Sequence, residues 1–227
     1  MYSLSEAARY AKMPPKTLRR WFYGEGKRVP MRRSEIDGCG QQAIGFLDFV
    51  EALAIRSLQV DYDVSLRTIR EAIKAAQERY GINHPFARQD HRTVLIGREL
   101  HIFLKEDPKN PVGLTGKDSG QKSFKECIED YMHSLEYDEQ GMARLFTAFT
   151  MGEQRVVMNP RISFGAPIVL ENGFTAETLW RATLAEGSFE RAAEYFEVST
   201  ESVRAAYRYW NGSWGWLRDP PSQTSVR

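Results

Sequence analysis

The sequence predicts an α+β fold that is mainly helical, with a helix-turn-helix at each end of the chain and a small mixed β region between them. Apolar residues recur at helical spacing through most of residues 1–80 and 171–210. Residues 93–104 instead contain two short runs rich in apolar residues around a glycine-containing turn, as in a β-hairpin. A repeated two-helix pattern near both termini supports the same architecture. We therefore divide the chain into predicted domains at 1–80, 81–155 and 156–227.

Composition and charge limit the class of protein. The chain has 227 residues, 42% of them hydrophobic, and a formal net charge of +1, so it can bury a core but is not basic overall. Its two cysteines, Cys39 and Cys127, lie far apart and lack the spacing of a disulfide framework, which favours a reducing, cytoplasmic location. We find no signal peptide and no apolar run of about 18 residues, and we expect no membrane segment.

We expect no enzyme activity, no cofactor and no small-molecule substrate. The sequence contains no phosphate-binding loop, nucleotide fingerprint or nucleophile motif, and its histidines and cysteines lack the spacing of metal ligands. Acidic residues between 126 and 139 offer a carboxylate cluster of the kind that nucleases use, but charge runs on helices are usually solvated faces. We therefore assign neither catalytic nor metal-binding residues.

The N-terminal segment predicts two short helices joined by a tight turn. Residues 3–11 form the first, because Ser3 and Glu6 have the spacing of a capping box. A turn at Met13-Pro14-Pro15 follows, since proline cannot continue a helix but suits its first turn. The second helix covers residues 15–23.

The same template returns 185 positions later. Small residues where two helices cross, an apolar residue in the turn, and then Thr or Ser before an apolar residue are typical of a helix-turn-helix. Two copies in register make this interpretation strong. The matched pairs are Leu4 and Phe189, Ala7 and Ala192, Ala8 and Ala193, Tyr10 and Tyr195, Met13 and Val198, Thr17 and Ser202, Leu18 and Val203, and Arg19 and Arg204.

Charge distinguishes the two copies. Residues 1–33 contain nine Lys and Arg against two Glu, a net of +7, whereas residues 171–210 contain four Arg against seven Glu, a net of −3. Because a DNA duplex carries about one negative charge per 1.7 Å of its axis, its partner must supply cations. We therefore predict that the first copy binds DNA and that the second contacts protein.

The second helix has a basic face suited to the major groove. Lys16, Arg19, Arg20 and Tyr23 fall on one side of it, at i, i+3, i+4 and i+7. Arginine can donate two hydrogen bonds to a guanine edge, and a lysine such as Lys16 more often contacts phosphate. The alternative is a solvated charged helix in a protein-binding fold.

A basic segment follows this helix. Its cations are Lys27, Arg28, Arg32 and Arg33, with Pro30 between them. We interpret it as the wing of a winged helix-turn-helix, which contacts phosphates or the minor groove. The alternative is a loop without fixed contacts.

The rest of the chain is assigned by the same rules of periodicity, capping and turn composition. The predicted elements are a hairpin or loop over 27–45, helices from Phe46 and over 65–80, a β-hairpin over 93–96 and 100–104, a loop over 107–120, a helix over 124–135, a strand over 142–150, short extended segments over 156–170, and helices over 175–186, 188–196 and 199–210.

Large side chains gather at the end of the last helix and beyond it. Trp and Arg are enriched among the residues that dominate protein–protein binding, whereas aromatic side chains next to a helix can also pack on the chain's own core. We predict a partner-binding segment and keep the core alternative open. Its residues are Trp210, Trp214, Trp216, Leu217 and Arg218.

Two segments resemble known families. Residues 2–23, with the wing and the helices that follow, resemble the winged helix-turn-helix of MerR-type regulators. Residues 159–169, in which Pro-Arg, Phe-Gly and Pro precede three helices, resemble a small domain of bacterial antitoxins. The chain departs from that pattern at Asn159 and at Glu171-Asn172-Gly173-Phe174, which puts the partner of this domain in doubt.

Together the segments resemble VapB-like antitoxins of type II toxin–antitoxin systems. The resemblance implies a homodimer that binds double-stranded operator DNA, represses its own operon and neutralises a PIN-like ribonuclease toxin. The rival interpretation is a transcription or excision regulator without a toxin partner, in which the C-terminal domain serves dimerisation alone.

Overall fold

The computed structural model of the chain describes residues 1–27, 29–32, 34, 36, 42–96, 99–104, 107–115, 124–125 and 134–212. Helices and antiparallel sheets are both present, which confirms the α+β class. The helices are α1 (Leu4–Tyr10), α2 (Pro15–Phe22), α3 (Phe46–Val60), α4 (Leu66–Tyr80), α5 (Ala176–Glu186), α6 (Phe189–Phe196) and α7 (Thr200–Asn211). A short 3₁₀ turn covers Ser163–Gly165.

The described strands form three antiparallel sheets. They are β1 (Tyr2–Ser3), β2 (Ala43–Ile44), β3 (Arg92–Ile96), β4 (Glu99–Leu104), β5 (Asp107–Gly113), β6 (Phe124–Lys125), β7 (Leu135–Tyr137), β8 (Ala143–Met151), β9 (Gln154–Met158) and β10 (Ile168–Val169). β1 pairs with β2; the second sheet has the order β5-β4-β3-β6 and the third β10-β9-β8-β7.

Serine and threonine caps fix where several helices begin. The side chains of Ser65, Thr175, Ser188 and Ser199 each accept a hydrogen bond from the backbone N–H three residues later. Such a bond satisfies one of the N–H groups that a helix start leaves without an internal partner. The predicted helices near these residues are therefore present, with ends shifted by a residue or two.

One hydrophobic core joins the two ends of the chain. Helix α3 lies inside it, since residues such as Phe49, Val50 and Leu53 are fully buried. The same cluster of buried side chains contains Tyr2 from β1 and Tyr209 from α7. The three predicted domains thus share buried contacts, and their boundaries remain a prediction. No described helix is long and apolar enough to cross a bilayer.

One prediction for the middle of the chain is wrong, and another differs from the structure at its two ends. Residues 107–120 are predicted as a loop, but Asp107–Gly113 forms β5 at the edge of its sheet. Proline is tolerated on edge strands, because one side of the strand makes no ladder hydrogen bonds. The predicted helix over 124–135 instead has strand at both described ends, since Phe124–Lys125 pairs with β3 and Leu135 begins β7. Its central part, 126–133, lies outside the described residues.

Candidate nucleic-acid interface

The first helix-turn-helix begins at a capping box. The Ser3 hydroxyl accepts a hydrogen bond from the backbone N–H of Glu6 at 3.2 Å, and the Glu6 carboxylate accepts one from the N–H of Ser3 at 2.9 Å. These hydrogen bonds hold the pKa of Glu6 below its ordinary value. At the other end of α1, Lys12 adopts a left-handed backbone conformation, and the Met13 N–H closes the turn onto the Ala8 carbonyl at 3.0 Å.

The second helix-turn-helix has the same cap and the same hydrogen bond in its turn. Ser188 caps α6 as Ser3 caps α1, and Glu197 is left-handed at the position of Lys12. The Val198 N–H donates to the Ala193 carbonyl at 3.0 Å, the counterpart of the bond from Met13. α1–α2 and α6–α7 are therefore two versions of one structural unit, as the spacing of 185 residues indicates.

Helix α2 presents its cations outward. Leu18, Trp21 and Phe22 are buried on its inner side, whereas Lys16 and Arg19 are exposed and Arg20 is half-buried. Lys16 lies 3.3 Å from a carboxylate oxygen of Glu25, with 79% of its side chain exposed. Because exposed ion pairs contribute about 0–1 kcal/mol, this pairing leaves Lys16 able to exchange Glu25 for a phosphate.

Arg19 has a neighbour that the sequence pattern does not reveal. Its Nε donates to the side-chain oxygen of Gln42 at 3.1 Å, across an exposed surface. Gln42 comes from the segment before β2, and no helical spacing relates it to α2. An exposed amide next to an arginine can donate and accept hydrogen bonds at a base edge, so Gln42 joins the candidate surface.

The equivalent positions of α7 differ from those of α2 in charge and packing. Glu201 stands at the position of Lys16 and is exposed, and Ala205, at the position of Arg20, is completely buried. The buried Ser202 hydroxyl donates to Gln154 of β9, and α7 also packs against α5, β8 and β10. Arg204, the counterpart of Arg19, is exposed and forms an ion pair with Glu190 at 3.1 Å. Helix α7 therefore has an acid and a buried alanine where α2 has two of its cations.

Tyr23 has a structural task beside the basic face. Its hydroxyl donates to the Ala43 carbonyl at 2.5 Å and accepts from the Ala43 N–H at 2.8 Å. The single hydroxyl hydrogen is thus used to fix β2 against the end of α2. We keep Lys16, Arg19 and Arg20 as base or phosphate contacts and assign Tyr23 to positioning.

The basic segment after α2 is tied to the end of that helix. The N–H groups of Met31 and Arg32 both donate to the Trp21 carbonyl, at 2.7 and 3.3 Å. Lys27 is exposed, as a wing contact requires. Arg28 and Arg33, the other predicted wing cations, lie outside the described residues. Glu25, just before Lys27, forms an isolated β-bridge, and β2 at the far end of the segment pairs with β1.

Arg32 does not point toward solvent, which corrects its prediction as a DNA contact. Its Nε lies 3.2 Å from the Asp48 carboxylate on α3, and the exposed fractions of the two side chains are 13% and 1%. The guanidinium also lies 2.8 Å from Nε2 of the buried His84. Arg32 neutralises a buried acid, and its charge is not available to a phosphate.

A second buried acid lies close to this pair. Glu51 on α3 is fully buried, and its carboxylate accepts a hydrogen bond from the Phe86 N–H at 2.7 Å. Burial raises the pKa of Glu51 to about 8, although the charge of Arg32 acts in the opposite direction. The carboxyl is therefore largely protonated at neutral pH. Among the described residues, no group of three His, Cys, Asp or Glu side chains has the arrangement of a metal site.

Arg9 and Lys12 are used inside the molecule. The Arg9 guanidinium forms an ion pair with Glu177 of α5 at 3.3 Å, and the Lys12 ammonium donates to the Trp210 carbonyl at 2.7 Å. Burial lowers the pKa of Lys12. With Arg32, three of the seven described cations in residues 1–33 thus contact α3 or the C-terminal helices, while Lys16 and Arg19 have exposed partners nearby. The net charge of +7 overstates what this unit offers to DNA.

Trp210 also belongs to this internal contact, which corrects its prediction as a partner contact. Its ring lies 5.7 Å from that of Trp180 and 6.5 Å from that of Tyr10, and Arg9 and Lys12 lie over it at 5.3 and 5.5 Å. The core alternative therefore holds for Trp210. The other predicted partner contacts, Trp214, Trp216, Leu217 and Arg218, lie outside the described residues.

Comparison with known proteins finds similarity both in sequence and in fold. No protein-family profile matches the sequence. The chain is 25% identical over 222 residues to the provisionally named antitoxin VapB45 of Mycobacterium tuberculosis, covering 91% of this chain and 92% of that protein. It superimposes on the crystal structure of Rv2018 from Mycobacterium tuberculosis with a TM-score of 0.65 and 23% identity, over 90% of this chain and 96% of the other. The chain is thus similar along nearly its whole length to a provisionally named antitoxin, and it shares its fold with Rv2018.

Proposed function

We propose that this protein is a DNA-binding antitoxin that represses its own operon through α2 and neutralises a PIN-like ribonuclease toxin. The similarity to the relative provisionally named VapB45 supports the antitoxin role, since the match covers nearly all of both chains. The proposed DNA surface consists of Lys16, Arg19, Arg20 and Lys27, with Gln42 beside them and Arg28 and Arg33 as further wing contacts.

The observation that carries the DNA-binding part is the contrast between the two helix-turn-helix units. They share the same turn hydrogen bonds, yet α7 has the acidic Glu201 and the buried Ala205 where α2 has Lys16 and Arg20. A recognition helix must present side chains that bind bases and phosphates in the major groove, and α2 has the more basic set. The acidic second unit would also repel phosphate.

For the toxin we propose a contact through the chain's last residues. Trp214, Trp216 and Leu217 supply apolar side chains, and Arg218 supplies a cation that suits the carboxylate cluster of a metal-dependent nuclease. The described chain ends after α7, where the Trp210 carbonyl is held by Lys12.

Co-expression with the product of the adjacent reading frame tests both parts at once. One readout is growth rescue and the other is repression of a reporter that carries the chain's own upstream region. We expect Arg19→Ala with Arg20→Ala to lose repression and keep rescue, and truncation after Gly212 to lose rescue and keep repression. A toxin-free regulator would show repression with nothing to rescue, and an absence of repression would remove the DNA-binding part.

A further inference from the structure

The last turns of α1 and α6 differ in one respect that their shared geometry does not explain. Tyr10 and Tyr195 occupy the same position of the repeated unit, yet Tyr10 is 6% exposed and Tyr195 is 73% exposed. Both units have the same turn and the same buried alanines. The difference therefore lies in what covers the tyrosine.

In the first unit, the rest of the chain covers it. Tyr10 packs edge-on against Trp210, 6.5 Å between ring centroids. The flanking cations are both paired, Arg9 with the Glu177 carboxylate and Lys12 with a carbonyl at the negative end of α7. Tyr10 and its two flanking cations thus form a docking face in this fold, and the C-terminal helices occupy it.

In the second unit, the same face has the opposite charge and is open. Glu194 stands at the position of Arg9 and Glu197 at that of Lys12, and both are exposed beside Tyr195. Within the described part of the chain, no cation forms an ion pair with either carboxylate. Arg191, one turn earlier on α6, is exposed as well. We refer to Glu194, Tyr195 and Glu197 as the α6 face.

We propose that the α6 face binds the cationic, RNA-binding surface of the partner ribonuclease and occupies the place of its substrate. A nuclease must offer cations to the phosphates of RNA, and surfaces for single strands add aromatic side chains on which bases stack. An exposed tyrosine with exposed acids on both sides of it in the sequence presents the same combination of ring and negative charge. This inference rests on the proposed antitoxin function and adds a second contact to it.

The α6 face lies at one end of α7, and the described chain ends at the other. Helix α7 has twelve residues, so at 1.5 Å per residue its two ends are about 18 Å apart. The α6 face can be changed by substitution without altering the residues after Gly212, and truncation after Gly212 leaves the α6 face intact.

The test is the affinity of the full chain for the purified product of the adjacent reading frame, measured by calorimetry. Glu194→Arg with Glu197→Arg reverses the charge of the face, and Tyr195→Ala removes its ring. Glu139→Arg with Glu153→Arg is the matched control, because it makes the same charge change at two exposed turns of the third sheet. If the charge-reversed protein is less helical than wild type, Glu194→Gln with Glu197→Gln replaces it.

We expect each α6-face variant to bind at least about tenfold more weakly and the control to stay within about twofold of wild type, in the range of close charge pairs at interfaces. Wild-type chain should displace a labelled oligoribonucleotide from the partner, and the charge-reversed chain should not. A wild-type complex that the α6 variants leave unchanged overturns the inference while the antitoxin function stands. Self-association of the chain alone that the same variants abolish assigns the face to a second copy and also overturns it. Absence of any wild-type complex removes the antitoxin function as well.

Discussion

Replacing Arg32 by methionine separates a structural role from a DNA-binding role. Methionine keeps most of the apolar length of the side chain but removes the charge, so the Asp48 carboxylate stays buried without its cation. Two hydrogen bonds to it remain, from the Ser34 hydroxyl at 3.1 Å and the Gly45 N–H at 3.3 Å, and both are long. Loss of one partner of a buried ion pair costs about 3–5 kcal/mol, and we expect about 3 kcal/mol here because these bonds persist.

Urea denaturation of the full chain measures this loss. Arg19→Met is the matched control, since it makes the same substitution at an exposed site and should change the free energy of unfolding by less than about 0.5 kcal/mol. In the double variant Arg32→Met with Asp48→Asn, part of the loss should be recovered, because no buried charge is left unpaired. Unchanged stability together with weakened DNA binding in Arg32→Met would refute this reasoning and would show that Arg32 contacts DNA, as the wing prediction has it.

Three further perturbations have defined outcomes. The fold raises the pKa of Glu51 from its ordinary 4.5 to about 8, so its contribution to stability is complete below pH 4.5 and is lost as the pH rises through about 8. Glu51→Gln should remove this decline, which amounts to at most about 1.4 kcal/mol per pH unit. Parallel curves of stability against pH for the two proteins would contradict this expectation. Gly165→Ala should destabilise the fold by about 1–3 kcal/mol, because φ is +83° and a Cβ would overlap the Tyr2 hydroxyl. Gly152→Ala is the control, since φ there is +59° but the space is open, and it should lose only the stability that the left-handed backbone costs. Equal melting temperatures of the two variants would count against the clash. Lys12→Met should cost about 1–2 kcal/mol of stability, because it removes the hydrogen bond to the Trp210 carbonyl at the end of α7 and the contacts with aromatic rings. The folded variant should bind DNA as wild type does. Weaker DNA binding at unchanged stability would indicate that Lys12 contacts phosphate instead.

The sequence predicts well those parts of the fold that depend on local signals. The capping box at Ser3 and Glu6 places α1 correctly, and the helical period after Phe46 places α3. These features need only neighbours within one or two turns of helix. The repeat at 185 residues is equally visible in the sequence, because the small residues and the turn require the same residue types in both copies.

Features that depend on distant contacts are not predictable from the pattern. The prolines of β5 are typical of a loop, and only the neighbouring β4 makes that segment a strand. Charge alone cannot show that Arg32 pairs with Asp48 while Arg19 stays exposed. The same limit applies to Trp210, whose neighbours come from the opposite end of the chain. The location of the candidate site on α2 stays a prediction, and the structure changes its members by pairing Arg32 internally and placing Gln42 beside Arg19.

The central proposal is that the basic face of α2, and not α7, contacts DNA. Fluorescence anisotropy of the chain's own upstream DNA with full-length protein measures it. Arg19→Ala with Arg20→Ala is compared with Arg204→Ala and Arg208→Ala, which removes the same charge from α7. We expect the α2 variant to lose about 1–3 kcal/mol of binding free energy per base contact and to depend less steeply on salt, with the α7 variant close to wild type. Equal losses in both variants, or an unchanged affinity in the α2 variant, would contradict the claim.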